Sequence, residues 1–453
     1  MKKIEFDVLC LLEEKKMYDK KYFSTILYKD EKRIENAYST LERDGFVSEK
    51  KITQKGMVEL KSHKINNAII LAAGMSTRFV PLNYQMPKGL LVVKGERLIE
   101  RQIHQLHEKG IDEIIIVVGY MKEAFTYLIE KYNVVLLTVD DYNKRNNHAS
   151  VYAAKKYLNN SIITSSDLYF SENIFQKYAY DAYYCTVYET GKTAERGIKT
   201  DEDDLIIETM YGDKCYDIWV TLGYAYFNQR FSDNYIKILD EIYSKPETED
   251  KFWADIQDEY LDDLYMYAKR CDINTIHEFD SLEELRNFDE KYIYDSGSDI
   301  MHKICYLLAA KENDIIDIET LKQIKQSMFK FRCKGETYIC DVHPSEEEKI
   351  SFQGRMYYQC RDFNDASLKL FKMEKNIKIE GKQKVDVEKE LNDLYEYSKE
   401  FKEYHDRALP LCAAENVISF FVNLPLSFGF QERYIMNLSL IHISEPTRLL
   451  SIS

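Results

Sequence analysis

Apolar positions recur at helical spacing through the first sixty-odd residues. Phe6, Leu9, Leu11 and Leu12 make one stripe, Tyr22, Phe23, Ile26 and Leu27 a second, and Ile34, Ala37, Tyr38 and Leu41 a third, which predicts three amphipathic helices. Gly45 stops the third as a C-cap does, and Phe46-Val47-Ser48 with Lys51-Ile52-Thr53 reads as a small hairpin. From Ala68 the pattern changes. A solid apolar run, Ala68 to Leu71, has the length of a buried strand, and helical and strand-like segments then alternate. Residues 98–109 place Leu98, Ile99, Ile103 and Leu106 on one face before Gly110, and 113–118 reads as strand, 122–131 as helix, 134–139 and 161–164 as strands. The alternation predicts an α/β unit, a mostly parallel sheet with helices on both sides and ligands gathered at the carboxyl ends of strands. Beyond Asp295 the period shortens to two: 315–342 alternates around Cys333-Lys334-Gly335-Glu336, which predicts antiparallel strands of a small α+β region. Residues 385–404 return to a charged, helical period.

Length and charge narrow this picture. A chain of 453 residues exceeds one typical core, so it divides into several domains. A hydrophobic fraction of 45% with 31% charged residues is that of a globular protein, and a net charge of -15 excludes a chain coated for nucleic acid throughout. The nine cysteines include no CxxC pair, which points to free thiols in a reducing compartment and to no zinc site. Acids at Glu5, Asp7, Glu13 and Glu14 interrupt the first apolar stretch, so it is no signal peptide, and no run is long enough for membrane insertion. The expected location is cytoplasmic.

The chemistry concentrates after the Ala68 strand. Ala72, Ala73 and Gly74 carry almost no side chain, so backbone N–H groups can approach an anion, while Ser76, Thr77, Arg78 and then Lys88 supply hydroxyls and charge. A second candidate is Asn146, Asn147 and Ser150, ahead of a helix whose first turn presents N–H groups. Asp167 stands just past the 161–164 strand, where a nucleotide-bound cation needs a hard oxygen ligand; in isolation it reads more readily as a helix cap or turn residue, and its place after the small-residue loop reverses that. In Ile276-His277-Glu278-Phe279-Asp280-Ser281, strand alternation sends Glu278 and Asp280 to one side, so two carboxylates face one cation or, alternatively, solvent at a sheet edge.

The LAAGMSTRF stretch with Pro87-Lys88 ten residues beyond its arginine resembles the signature loop of nucleotidyltransferases that join an NTP to a phosphorylated acceptor. With LIERQI, GIDEIIIVVGY, KEAFTYL, NNxxS, SDLYF and HEFDS, the resemblance extends over about 67–292 to the cytidylyltransferase family that makes CDP-choline from phosphocholine. It implies a Rossmann-like, GT-A-like mixed sheet flanked by helices, and transfer of CMP from CTP to a small phosphorylated acceptor. It further implies a loop comprising Leu71, Ala72, Ala73, Gly74, Ser76, Thr77, Arg78 and Lys88 around the triphosphate, and Mg²⁺ held by Asp167, Glu278 and Asp280. Two departures stand out. Val139-Asp140-Asp141-Tyr142 replaces the family's Asn-containing pattern, and Ala194-Glu195-Arg196-Gly197 puts a guanidinium where the choline pocket uses an aromatic residue. A quaternary ammonium is held by aromatic faces and repelled by a cation. The acceptor candidates are therefore Arg196, Phe252, Trp253 and Asp255, with aminoethylphosphonate or a sugar 1-phosphate as alternatives to phosphocholine.

Residues 1–64 resemble a winged helix-turn-helix, where Lys and Arg slightly outnumber Asp and Glu, so a DNA-binding or effector-sensing module stands beside a simple packing unit. That opens a third reading of the whole chain, a transcriptional regulator with a nucleotide-sensing domain. Residues 296–380 resemble the opening sheet of choline-kinase-like phosphotransferases, yet Asp341 stands where that family places a cation and no HxD loop follows. Residues 385–437 resemble the truncated start of a serine-hydroxymethyltransferase-like pyridoxal-phosphate domain, and 438–453 reads as translated adapter sequence, so the natural chain is expected to end near Asn437.

Overall fold

The computed structural model describes residues 1–344, 346–361 and 365–373. The segments read as a pyridoxal-phosphate-like start and as adapter, together with the end of 296–380, lie outside them.

The helices Lys3–Lys15, Lys20–Leu27 and Glu31–Arg43 form, with Asp19 and Asp30 capping the second and third by accepting from the N–H groups of Tyr22 and Arg33. The hairpin Val47–Ser48 with Lys51–Ile52 follows, and Thr53 caps a fourth helix, Gln54–Ser62. Phe6, Leu9, Leu12, Ile34, Ala37, Tyr38 and Leu41 enclose one core. In the two-turn second helix only Phe23 is buried, and Tyr22 and Ile26 stay exposed, because so short a helix packs through a single face. This unit is fastened to the next. Lys29 Nζ and Arg33 Nη1 each donate to the Glu202 carbonyl at 3.0 Å, Arg33 Nη2 pairs with Asp203 at 2.8 Å, and Lys29 pairs with Asp204 at 2.8 Å.

A nine-stranded mixed sheet follows, in the order Ile206–Met210, Gly197–Thr200, Tyr216–Phe227, Ser161–Ser165, Asn67–Ala72, Glu113–Val118, Val135–Thr138; Tyr183–Lys192 pairs with Tyr216–Phe227 and with Tyr267–Arg270. Its centre is parallel, Asn67–Ala72 lying between Glu113–Val118 and Ser161–Ser165. Alternation sends Ala68, Ile70 and Ala72 into one core with Ile99, Ile103 and Leu106, and Ile69 and Leu71 into the opposite core with Phe227 and Phe231. The helix expected over 122–131 divides into a tight turn, Lys122–Phe125, and a short helix, Tyr127–Tyr132.

A six-stranded antiparallel sheet closes the described chain, in the order Ile315–Thr320, Met328–Cys333, Glu336–Asp341, Lys369–Met373, Arg355–Gln359, Lys349–Phe352. Lys334 and Gly335, both at positive φ, make the expected hairpin turn. Phe329, Phe331 and Cys340 of this sheet share a core with Phe79, Val80 and Leu82, which follow the small-residue loop. Tyr84 donates to the Gln326 carbonyl at 3.0 Å across the same boundary. Among the described residues no helix is long and apolar enough to cross a membrane.

Candidate active site

Strand register explains how residues far apart in sequence meet. Leu71 lies opposite Ser165 in the parallel pair, and the Ser166 N–H donates to the Leu71 carbonyl at 2.9 Å, so Ala72-Ala73-Gly74 and Ser166-Asp167 leave the same sheet edge side by side. The strand Ile276–Glu278 pairs antiparallel with Leu168–Phe170, and Glu278 falls opposite Leu168, one residue from Asp167. These ends form one cleft, lined by the loop from Leu71 to Phe79 with Lys88, Asn146, Asn147, Ser150, Asp167, Phe252, Glu278 and Asp280.

Lys88 sits at its heart. It is 6% exposed, and its Nζ lies 2.9 Å from Asp167 Oδ2 and 3.3 Å from Asp280 Oδ1. A Cβ on the adjacent Gly89 would come within 2.8 Å of Ser166 Cβ and Oγ, so a glycine is what lets the lysine's backbone press against the strand end. Arg78 Nη2 reaches the other oxygen of Asp280 at 2.8 Å from an exposed position. Burial alone would lower the Lys88 pKa, but Asp167, Glu278 and Asp280 outweigh it and hold it above its ordinary value. Glu278 reaches solvent at the cleft mouth, yet desolvation on its inner side and then Asp167 push its carboxyl upward, with Lys88 acting in the opposite sense. Three carboxylates thus crowd a single buried ammonium. The three are not tightly gathered, however: among the described residues the one trio of His, Cys, Asp or Glu with ligand atoms all within 4.8 Å of one another lies elsewhere, at Asp295, His302 and Glu312.

Asn146, Asn147 and Ser150 reach the cleft but are partly committed. Asn146 Nδ2 donates to the Asp250 carbonyl at 2.5 Å, and Asn147 Oδ1 accepts from the Trp253 N–H at 2.9 Å, which ties this turn to the 249–253 segment. The helix behind them is His148–Ala153.

Of the acceptor candidates only Phe252 faces the cleft, half exposed. Trp253 is core, stacked on Tyr184 with ring centroids 4.7 Å apart. Asp255 accepts from the Phe252 N–H at 2.7 Å and from Tyr211 Oη at 3.1 Å. Arg196 corrects the expectation of a repelling cation. It is 6% exposed, its Nε lies 3.2 and 3.1 Å from the two oxygens of Asp258, its Nη2 also bonds that carboxylate and Gln257 Oε1 at 2.5 Å, and it lies over the Tyr184 ring. Its charge is neutralised inside the fold, because a buried guanidinium needs such partners.

Sequence reasoning passed over several contributors. Gln102 is fully buried and its Nε2 donates to the carbonyls of Ser165 and Leu168, at 2.9 and 2.8 Å, bracketing Asp167. The signal was there: Gln102 falls on the apolar face of LIERQIHQLHE beside Ile99 and Ile103. Arg145 also lines the cleft, paired with Asp141 at 3.4 Å and lying over Tyr243.

A glycine-bearing loop on a parallel strand end, facing a buried lysine among carboxylates from two further strand ends, is the architecture of a nucleotidyltransferase. Residues 68–187 match the family described as the MobA-like NTP transferase domain. The choline-phosphate cytidylyltransferase of Streptococcus pneumoniae is 34% identical over 227 residues, 49% of this chain and 96% of that protein. The 2-aminoethylphosphonate cytidylyltransferase of Lancefieldella rimae is 33% identical over 232 residues, 50% of this chain and 94% of that protein. A solved structure of the Streptococcus pneumoniae CTP:phosphocholine cytidylyltransferase aligns with a TM-score of 0.48, covering 49% of this chain and 97% of that one. Over about half its length, the chain belongs to this cytidylyltransferase family.

Proposed function

We propose that the cleft transfers CMP from CTP to a small phosphorylated acceptor that carries a cationic amine, phosphocholine or aminoethylphosphonate, with release of pyrophosphate. The observation that carries this reading is Lys88, an almost wholly buried ammonium set between Asp167 and Asp280 beside the small-residue loop. An acceptor oxygen, already anionic, attacks the α-phosphorus of CTP in line; the bond to the bridging oxygen of the β-phosphate breaks and pyrophosphate departs. No protein nucleophile is needed. The N–H groups of Ala72, Ala73 and Gly74, with Ser76 and Thr77, cradle the phosphates, and Lys88 and Arg78 meet the charge that builds on the departing oxygens. Both cations sit on carboxylates until the triphosphate, a denser anion, competes for them.

The cleft also suits a divalent cation, Mg²⁺ by its all-oxygen donors. Glu278, with its carboxyl pushed upward next to Asp167, is short of positive charge, and Asp167, Glu278 and Asp280 are the residues to hold such an ion. When bound it would screen the triphosphate from these carboxylates and polarise the α-phosphate. For the acceptor, the neutralised Arg196 removes the objection to a cationic head group, and Phe252 offers it an aromatic face. The test is pyrophosphate release across CTP, UTP, ATP and GTP against phosphocholine, aminoethylphosphonate and glucose 1-phosphate, with and without Mg²⁺. Turnover with CTP and either amine is expected; preference for glucose 1-phosphate overturns the reading of the acceptor.

The N-terminal unit supports a winged helix by its element order, three helices, a hairpin and a fourth helix, but Lys29 and Arg33 face the transferase loop at Glu202 to Asp204. We read it as a docked module, with these basic residues turned towards the transferase. A salt-sensitive gel shift with duplex DNA would reverse that reading.

A further inference from the structure

We propose that Asp295, His302 and Glu312 form a second cation site, selective for a transition metal of the zinc class, at the joint between the nucleotidyltransferase unit and the antiparallel sheet. Three separate pieces of chain meet there. Asp295 follows the short helix Lys291–Tyr294, His302 lies on the helix Asp299–Leu307, and Glu312 opens the turn Glu312–Asp314 that leads into the strand Ile315–Thr320. His302 Nε2 lies 3.1 Å from Asp295 Oδ1 and 3.3 Å from Glu312 Oε1, and all three ligand atoms fall within 4.8 Å of one another. An ion bound at about 2.0–2.2 Å from nitrogen and carboxylate oxygen brings its ligands to a similar mutual spacing.

Glu312 gives the independent sign that something belongs there. Its side chain is 3% exposed and its Oε2 accepts the Ser296 N–H at 2.9 Å, but Oε1, directed at the imidazole, accepts no hydrogen bond. A buried carboxylate oxygen without a donor is costly. The single N–H of His302 Nε2 cannot remedy this, because the same nitrogen also faces Asp295, and one proton serves one acceptor well. A cation at that point satisfies both carboxylates and the imidazole lone pair together. Asp295 and His302 are each more than half exposed, so an ion enters from solvent and keeps water in its remaining positions.

The donor set separates this site from the cleft. Imidazole nitrogen favours zinc-class metals over Mg²⁺, whereas the cleft lining contains carboxylates and no histidine. Its place suggests its effect. Met301, Ile304 and Ile315 belong to the core that also holds Phe79, Val80 and Leu82, so an ion here fastens the wall behind the signature loop.

The test is a Co²⁺ titration of chelator-stripped, full-length protein in excess Mg²⁺, read by visible ligand-field absorption and competed with Zn²⁺. One Co²⁺ per chain is expected in the wild type, with affinity falling at least about tenfold in Asp295→Asn and in His302→Asn. Zn²⁺ is expected to raise the melting temperature of the wild type and of neither variant. Asp295→Asn alters an exposed side chain and keeps the test valid if His302→Asn fails to fold. Absence of a saturable wild-type signal, or equal Co²⁺ affinity in wild type and a folded Asp295→Asn, overturns the proposal.

Discussion

Lys88→Met gives the sharpest test of the cleft. Methionine keeps an unbranched stem of similar length along the wall beside Gly89 and removes only the ammonium, so the change isolates charge from shape. In the wild type that ammonium is 6% exposed and makes two ion contacts, at 2.9 and 3.3 Å. A charged donor of this kind, preorganised where water is largely excluded, lowers the barrier of the chemical step by about 3 kcal/mol. At about 1.36 kcal/mol per tenfold, kcat should fall roughly a hundredfold or somewhat more. Stability should suffer less than for a sealed ion pair, because Asp167 and Asp280 keep some solvent access and Arg78 still holds Asp280. The assay is pyrophosphate release at saturating CTP and acceptor, scaled to folded protein by circular dichroism. A folded Lys88→Met enzyme whose kcat stays within about threefold of wild type would refute the placement of the lysine on the departing pyrophosphate.

Gly89→Ala should act on the same group from behind: its Cβ meets Ser166 at 2.8 Å, so kcat is expected to drop while Lys88 itself remains, and rescue by Ser166→Gly would identify the clash as the cause. Arg196→Ala removes the guanidinium from Asp258, which keeps the Tyr211 hydroxyl at 3.1 Å and some solvent access, and should lower unfolding free energy by about 1.5–3 kcal/mol in denaturant titrations, with the KM for CTP little changed. Glu100 supplies a pH signature. Burial would raise its carboxyl, but bonds from Lys131 and Tyr127 at 2.7 Å and Tyr132 at 2.9 Å outweigh that and hold it at about 2. With an unfolded value of about 4.3, its contribution is complete above that pH and lost as pH falls towards 2. The denaturation midpoint of Glu100→Gln should therefore decline less over that window than the wild-type midpoint.

The parallel half of the sheet was legible because its strands are apolar runs, as at Ala68 to Leu71 and Ile114 to Val118, and because Gly45 and Gly110 punctuate the helices; the antiparallel half, including Tyr183–Lys192 and Tyr216–Phe227, mixes Tyr, Thr and Gly into its strands and was not. The loop was legible for the opposite reason, since small residues followed by hydroxyls and cations interrupt an otherwise greasy pattern. What sequence could not give was pairing. Nothing in HEFDS says that Glu278 lies opposite Leu168; that depends on two strand ends meeting after a hundred residues of intervening chain. Arg196 was misjudged for the same reason: its position suggested a free charge, and only the fold reveals Asp258 beside it. Trp253 and Phe252 are neighbours in sequence but face opposite ways, and no periodicity over so short a stretch distinguishes the core ring from the cleft ring. Gln102 stands out in the pattern itself, a polar residue on an otherwise apolar face.

Phe79, Val80 and Leu82 are covered by side chains that come from beyond residue 300. Cutting the chain after the cytidylyltransferase homology would therefore strip the backing from the very segment that joins Arg78 to Lys88. Such a fragment would present fresh greasy surface to water a few residues from Lys88, and any loss of turnover in it would report on lost support rather than on missing chemistry.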